Sequence, residues 1–309
     1  MNMPEVKQTY HAHGKLLLTA EYYVLLGAKA LALPLQYGQR MDVLEGSRPG
    51  LISWKAFDKE GLWFSCDFKL PDLEIVDSSD PEKALVLQSA LVTAGKINPD
   101  FELNVAKDIH THLDFHSQWG MGSSSTMIAN LAAWADVDPF NLNEKIFNGS
   151  GFDIACASAE GPIFYQKNNK PEPVDLDYPF LDALYFVYSG AKKSTRGEVR
   201  RFLKNGTVSA AQVDEVNAIS ERISQAKTLE DFQQLLVDHE QLVSGLLEVP
   251  SVKSDRFADF NGEMKSLGAW GGDFYLAATF MDKASVLRYF KEKGLQVVFP
   301  WQALVLNNR

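Results

Sequence analysis

Gly120 and Gly122 stand two apart in the stretch W-G-M-G-S-S-S that begins at Trp119, and Ser123, Ser124 and Ser125 follow without a break. Glycines so placed let the backbone turn through conformations that a Cβ would penalise. Met127, Ile128, Leu131, Ala132 and Ala135 then recur at helical spacing, which predicts a helix whose first turn is capped by hydroxyls. The start of such a helix offers unpaired N–H groups and the positive end of the dipole, a setting that suits phosphate. The same residues also fit an ordinary serine-capped core helix. Lys15 and Glu21 are charges set among apolar neighbours, so each must be paired, face a cleft or act; Lys15 could equally snorkel to solvent. Asp153 follows Gly149-Ser150-Gly151-Phe152 and enters a run of small apolar residues. It reads either as an acid in a perturbed environment or as a helix N-cap.

Further candidates lie later in the chain. After the apolar run 184–188, Lys192, Lys193 and Arg196 gather around Ser194 and Thr195, a loop able to clasp an anion or simply a solvated basic turn. Lys265-Ser266-Leu267-Gly268 leads into a second glycine-rich turn that ends at Gly271, Gly272 and Asp273. His110, His112 and His116 are read as polar loop residues, because no cysteine or compact carboxylate cluster accompanies them.

The elements that must hold these groups follow from pattern. The run 16–18 suits a buried strand, followed by a short turn that stops at Gly27. Residues 51–57 and 62–66 alternate on either side of Gly61, as antiparallel strands do. Residues 81–94 form a helix with Asp80 as cap and Pro81 at its first position, and 101–105 alternate as a strand. Strands are expected at 162–165, 184–188, 275–280 and 296–299, with helices over 207–248 and 283–293.

The chain has 309 residues, 46% hydrophobic and 23% charged, an ordinary globular composition with room for about two domains. A formal charge of −10 argues against nucleic acid or an anionic membrane as partner. Cys66 and Cys156, the two cysteines, cannot build a disulfide framework. With no signal-peptide core and no apolar span near the ~20 residues a membrane helix needs, a cytoplasmic protein is expected. The P-loop, zincin and nucleophile-elbow motifs are absent.

In order, these segments resemble the three signature motifs of the GHMP small-molecule kinases, the superfamily of galactokinase, homoserine kinase, mevalonate kinase and phosphomevalonate kinase. Gly14-Lys15, Glu21 and Gly27 are spaced like the first motif, Gly120-Met121-Gly122-Ser123-Ser124 matches the phosphate loop, and Gly268-Ala269-Trp270-Gly271-Gly272-Asp273 is similar to the third. The resemblance is greatest to the mevalonate and phosphomevalonate kinase branch, although Trp270 and Leu267 depart from the third motif and the interval before Asp153 is short.

The resemblance implies an α+β protein of two domains, a ribosomal-protein-S5-like one over 1–178 and a ferredoxin-like α/β one over 179–309, with the active site between the halves. It implies ATP and Mg²⁺, with phosphate on Gly120, Gly122, Ser123, Ser124 and Ser125, and the metal on Ser124 and Glu144. Asp153 would orient or deprotonate an acceptor hydroxyl and Lys15 would stabilise the developing charge. Glu21, Ser194, Thr195, Gly271, Gly272 and Asp273 would lie on the substrate side. The expected partner is a small metabolite such as mevalonate or phosphomevalonate, with a homodimer among the assemblies to be expected. Two rivals are a catalytically silent metabolite-binding homologue and a decarboxylase of the diphosphomevalonate type.

Overall fold

The computed structural model of the chain describes residues 6–190, 208–268 and 272–307. The chain forms two compact units, neither of them continuous in sequence. One takes in residues up to Gly14, Tyr37–Ser117 and Met121–Ser158; the other takes Lys15–Gln36, Gln118–Gly120 and the chain from Ala159 onward. Strands β1 (Val6–Leu17) and β2 (Ala30–Glu45) each give one end to either unit.

In the first unit, β3 (Leu51–Asp58) and β4 (Gly61–Lys69) make the hairpin that Gly61 announces, with Asp58 opposite Gly61. β5 (Glu74–Ser78) flanks β4, and β6 (Lys107–Leu113) runs parallel to β3 and antiparallel to the C-terminal part of β2. Residues 101–105 form no strand: Phe101 N–H turns back to Asn98 O and Leu103 N–H to Phe101 O, so that Phe101 and Leu103 cover the core from a loop while Val105 is exposed. The strand lies a few residues later, and His110 and His112 sit in it rather than in a loop. His112 stacks on Phe57 and His110 meets the same ring edge-on; burial, the larger cause, holds both imidazoles below their ordinary pKa.

Helix α1 (Pro81–Ile97) has Asp80 as its cap, accepting from Lys83 N–H at 3.1 Å, and Pro81 in its first turn. Its Ala84, Leu87, Leu91 and Ala94 share a core with Ile52, Trp54, Phe64, Phe68 and Ile109 of the sheet, and with Ile128, Leu131 and Ala135 of α2 (Ser123–Ala135). The apolar spacing of both helices therefore serves one face of one sheet. Helices α3 (Pro139–Ile146) and α4 (Phe152–Ala157) complete the unit and pack with α2.

In the second unit, the N-terminal part of β2 pairs with β7 (Ile163–Tyr165), which pairs with β8 (Glu172–Pro173). β9 (Leu184–Tyr188), β10 (Glu263–Leu267), β11 (Phe274–Ala278) and β12 (Val298–Pro300) form an antiparallel sheet in the order β10-β11-β9-β12. Tyr185, Val187, Met264, Tyr275 and Ala277 of that sheet pack with Val286 and Phe290 of α8 (Lys283–Glu292). The helical stretch expected over 207–248 is two helices, α5 (Ala210–Ser224) and α6 (Leu229–Leu247), and the second lies along β10; α7 (Val252–Arg256) follows it. Among the described residues no helix is long and apolar enough to cross a membrane.

Candidate functional site

Backbone conformation, rather than side-chain capping, shapes the loop before α2. Gly120 and Gly122 both take left-handed φ, 69° and 99°, and Gly122 is itself the N-cap. The expected hydroxyl cap is corrected here, because the helix starts at Ser123 and places Ser123, Ser124 and Ser125 inside its first turn. Ser125 Oγ and Thr126 Oγ1 turn back to donate to Gly122 O at 2.9 and 3.0 Å, and Thr126 N–H closes the first helical bond on the same oxygen. The N–H groups of Ser123, Ser124 and Ser125 thus have no carbonyl one turn behind them and no capping side chain. Ser124 is exposed and Ser125 buried.

The same unit carries Glu144, exposed on α3, and Asp153, half-buried in the first turn of α4. Gly151, at φ 92°, is the N-cap of α4, so Asp153 is not a cap. Its Oδ1 lies 3.2 Å from the Ile154 N–H. Both residues belong to helices packed with α2. Ser124 and Glu144 offer hard oxygen donors of the kind Mg²⁺ takes. Among the described residues no group of three or more His, Cys, Asp or Glu side chains could hold a metal by itself.

The second unit brings the three glycine-bearing segments together. Lys15, half-buried, donates through Nζ to Gly120 O at 3.1 Å, which places its head beside the loop. A Cβ on Gly120 would lie 1.9 Å from Asp273 Oδ2, so the absence of a side chain is what admits Asp273. Asp273 O in turn accepts from Ser189 N–H at 2.9 Å. Gly272 is buried beside it, while Ser194, Thr195 and Gly271 lie outside the described residues.

Glu21, expected on the substrate side, is 3% exposed and bound by the fully buried Lys265. Lys265 Nζ also donates to Ser266 O at 2.9 Å. Glu240 Oε1 accepts Ser266 N–H at 3.1 Å, and His239 Nε2 accepts Ala20 N–H at 2.8 Å. With Nε2 committed as an acceptor, the 3.4 Å approach of Glu21 Oε2 to it is not an ion pair. Burial, reinforced by Lys265, holds His239 far below its ordinary pKa and so neutral. Burial also pushes Glu21 up, against the pull of Lys265, and raises Glu240 to about 7. Lys265, His239 and Glu240 escaped the sequence reading. The available signal was His239-Glu240 interrupting the apolar stripe that Phe232, Leu235, Leu236 and Val243 trace along α6.

No family model and no curated sequence matches the chain. Solved structures do. The mevalonate kinase of Methanococcus jannaschii is 16% identical, with a TM-score of 0.72 over 94% of this chain and 96% of that one. The Streptococcus pneumoniae phosphomevalonate kinase, solved with phosphomevalonate and AMPPNP, is 16% identical at TM-score 0.69 over 94% and 99%. The Lactococcus lactis galactokinase, solved with galactose, is 13% identical at TM-score 0.65 over 98% and 95%. The fold is that of the GHMP small-molecule kinases.

Two outcomes follow from this geometry. Gly120→Ala puts a Cβ into Asp273 at a left-handed φ and is expected to cost about 1–3 kcal/mol, read as a lowered urea midpoint; an unchanged midpoint would contradict the close approach. Because the raised pKa of Glu240 keeps a proton on the folded chain that the unfolded chain loses above about pH 4.5, its contribution to stability is complete below about pH 4.5 and is lost as the pH rises through about 7. His239, with its pKa lowered, acts in the opposite sense, so the comparison is with Glu240→Gln. The stability of the wild type relative to that variant is expected to fall by up to about 3 kcal/mol between pH 5 and 8; a constant difference would contradict the assignment.

Proposed function

We propose that the chain is an ATP-dependent small-molecule kinase that transfers the γ-phosphoryl group to a hydroxyl or phosphate of a small metabolite, with mevalonate and phosphomevalonate as the leading acceptors. One observation carries the reading: a 13-residue helix starts on a left-handed glycine and leaves the N–H groups of Ser123, Ser124 and Ser125 without a capping side chain. Donors in that arrangement, at the positive end of α2, suit a polyphosphate. The fold shared with mevalonate and phosphomevalonate kinases supports the same class of reaction.

Phosphoryl transfer asks a protein chiefly for positioning and for stabilisation of charge on the transferred group. Gly120 and Gly122 shape the loop, and the three serine N–H groups hold phosphate oxygens. Ser124 and Glu144, together with the nucleotide, would hold Mg²⁺, which would supply charge neutralisation at the phosphates. The acceptor oxygen forms a bond to the γ-phosphorus as the bond from that phosphorus to the β,γ-bridging oxygen breaks, and ADP leaves with the electron pair. Asp153 takes the proton of the attacking hydroxyl, and the Lys15 ammonium stabilises the negative charge that develops. Gly272 and Asp273 serve the substrate side, as would Ser194, Thr195 and Gly271.

An ADP-release assay with Mg-ATP, run against mevalonate, phosphomevalonate, a sugar and an amino alcohol, tests the reading. Turnover with one acceptor is expected, and Asp153→Asn should lower kcat by roughly 10²–10⁴-fold while leaving ATP affinity within about threefold. Normal turnover by that variant would remove Asp153 from the mechanism, and no turnover with any acceptor would count against the kinase.

A further inference from the structure

Three consecutive residues, Gln118, Trp119 and Gly120, belong to the second unit, although the chain on both sides of them, Tyr37–Ser117 and Met121–Ser158, forms the first. Gly120 takes a left-handed φ of 69°, and a glycine holds no conformation by itself. The hold on this stretch, and on the Gly120 carbonyl that accepts from Lys15, therefore has to come from the side chains packed on it.

All three residues are answered within the second unit. The Tyr188 hydroxyl donates to Gln118 O at 3.3 Å. The Trp119 ring centre lies 6.0 Å from that of Tyr188, and the indole meets Phe299 edge-on at 5.6 Å. Phe274, fully buried, packs against both of those rings, at 5.5 Å from Tyr188 and 6.3 Å from Phe299. Tyr188 and Phe274 stand opposite each other in the register of β9 and β11. The half-buried indole is thus seated on side chains of β9 and β12 that β11 supports. Asp273, one residue before Phe274, fills the room beside Gly120. An indole gives a large rigid contact with only two torsions to fix, which suits it to anchoring a loop at small entropic cost. Lys15, by contrast, carries its charge on a flexible four-carbon stem, so its ammonium follows the acceptor that it binds.

We propose that Trp119 is a positioning residue for Lys15: seated on Tyr188 and Phe299, with Tyr188 also holding Gln118 O, it fixes the Gly120 carbonyl and through it the place of the Lys15 ammonium. Trp119 acts on phosphoryl transfer through Lys15, not by touching the transferred group. The proposal rests on the kinase reading for its kinetic consequences only.

Acetylation of the whole protein by limiting acetic anhydride at fixed pH, read lysine by lysine by peptide mass spectrometry, measures how firmly the Lys15 ammonium is held. The exposed Lys96 normalises the rates. Lys29, paired with Glu221 elsewhere in the second unit, reports general loosening and should keep its rate. Trp119→Ala empties the seat, and Trp119→Phe keeps a ring on it. Lys15 should be modified about three- to tenfold faster in the alanine variant, the factor one hydrogen bond is worth, and within about twofold of the wild-type rate in the phenylalanine variant. On whichever acceptor the wild type uses, kcat should fall about 10- to 100-fold in Trp119→Ala with KM for ATP within about threefold, and Trp119→Phe should restore it to within about threefold of wild type. Equal Lys15 rates in the two variants, a Lys29 rate raised by the same factor, or an unchanged kcat in the alanine variant of an active enzyme would overturn the proposal. Tyr188→Phe, which deletes only the hydroxyl on Gln118 O, covers the case in which Trp119→Ala does not fold: modification of Lys15 about twofold faster is expected, and the wild-type rate overturns it. A wild type that transfers no phosphoryl group defeats the kinase reading, while the acetylation rates still decide the positioning role.

Discussion

A helix cannot satisfy its own first N–H groups, and how a protein answers them at each helix start reveals what that start is for. Helices α1, α3, α5, α6, α7 and α8 here begin on an aspartate, serine or threonine whose side chain accepts one of those donors. Helices α2 and α4 begin instead on Gly122 and Gly151 and have no such acceptor; of the two, α4 is six residues long and α2 thirteen, with three serines in its first turn. The serines that follow do not fill the gap, since the hydroxyl of Ser125 is turned back onto Gly122 O. The functional reading depends on the α2 start, which follows in sequence the glycine, Gly120, that Lys15 and Asp273 meet in the second unit.

Within the second unit, side chains answer Gly120 and the segments around it. Lys15 holds the carbonyl of Gly120, and Asp273 occupies the room that its missing side chain leaves. Farther back, Lys265 is spent on Glu21 and on the backbone of Ser266. Removing one member of a buried pair of this kind costs about 3–5 kcal/mol, because the other is left charged and unanswered. The two lysines thus have different tasks: Lys15 lies beside Gly120, and Lys265 is fully buried against Glu21.

Much of this could be read from the chain alone, because spacing carries it. The glycine pair at 120 and 122, the helical recurrence from Met127 to Ala135 and the cap at Asp80 all follow from local geometry, and local geometry is what a sequence displays. The strand at Lys107–Leu113 was hidden, because its outward side chains are charged residues and histidines; Asp42 lies opposite His110 in the register. The apolar alternation at 101–105 imitated a strand, since a loop pressed on a core buries Phe101 and Leu103 in the same rhythm. The buried cluster was invisible for a different reason: Glu21, His239 and Lys265 are brought together only by the fold, and no spacing along the chain announces a pair so far apart.

The central claim is that the uncapped start of α2 receives the polyphosphate of a nucleotide. Amide hydrogen exchange of the wild-type protein with and without Mg-ATP addresses it most directly, since it reads the donors themselves. Binding is expected to slow exchange at Ser123, Ser124 and Ser125 more than elsewhere in the first unit. Saturating nucleotide that leaves those three amides exchanging as before, with protection appearing at another segment, would contradict the account.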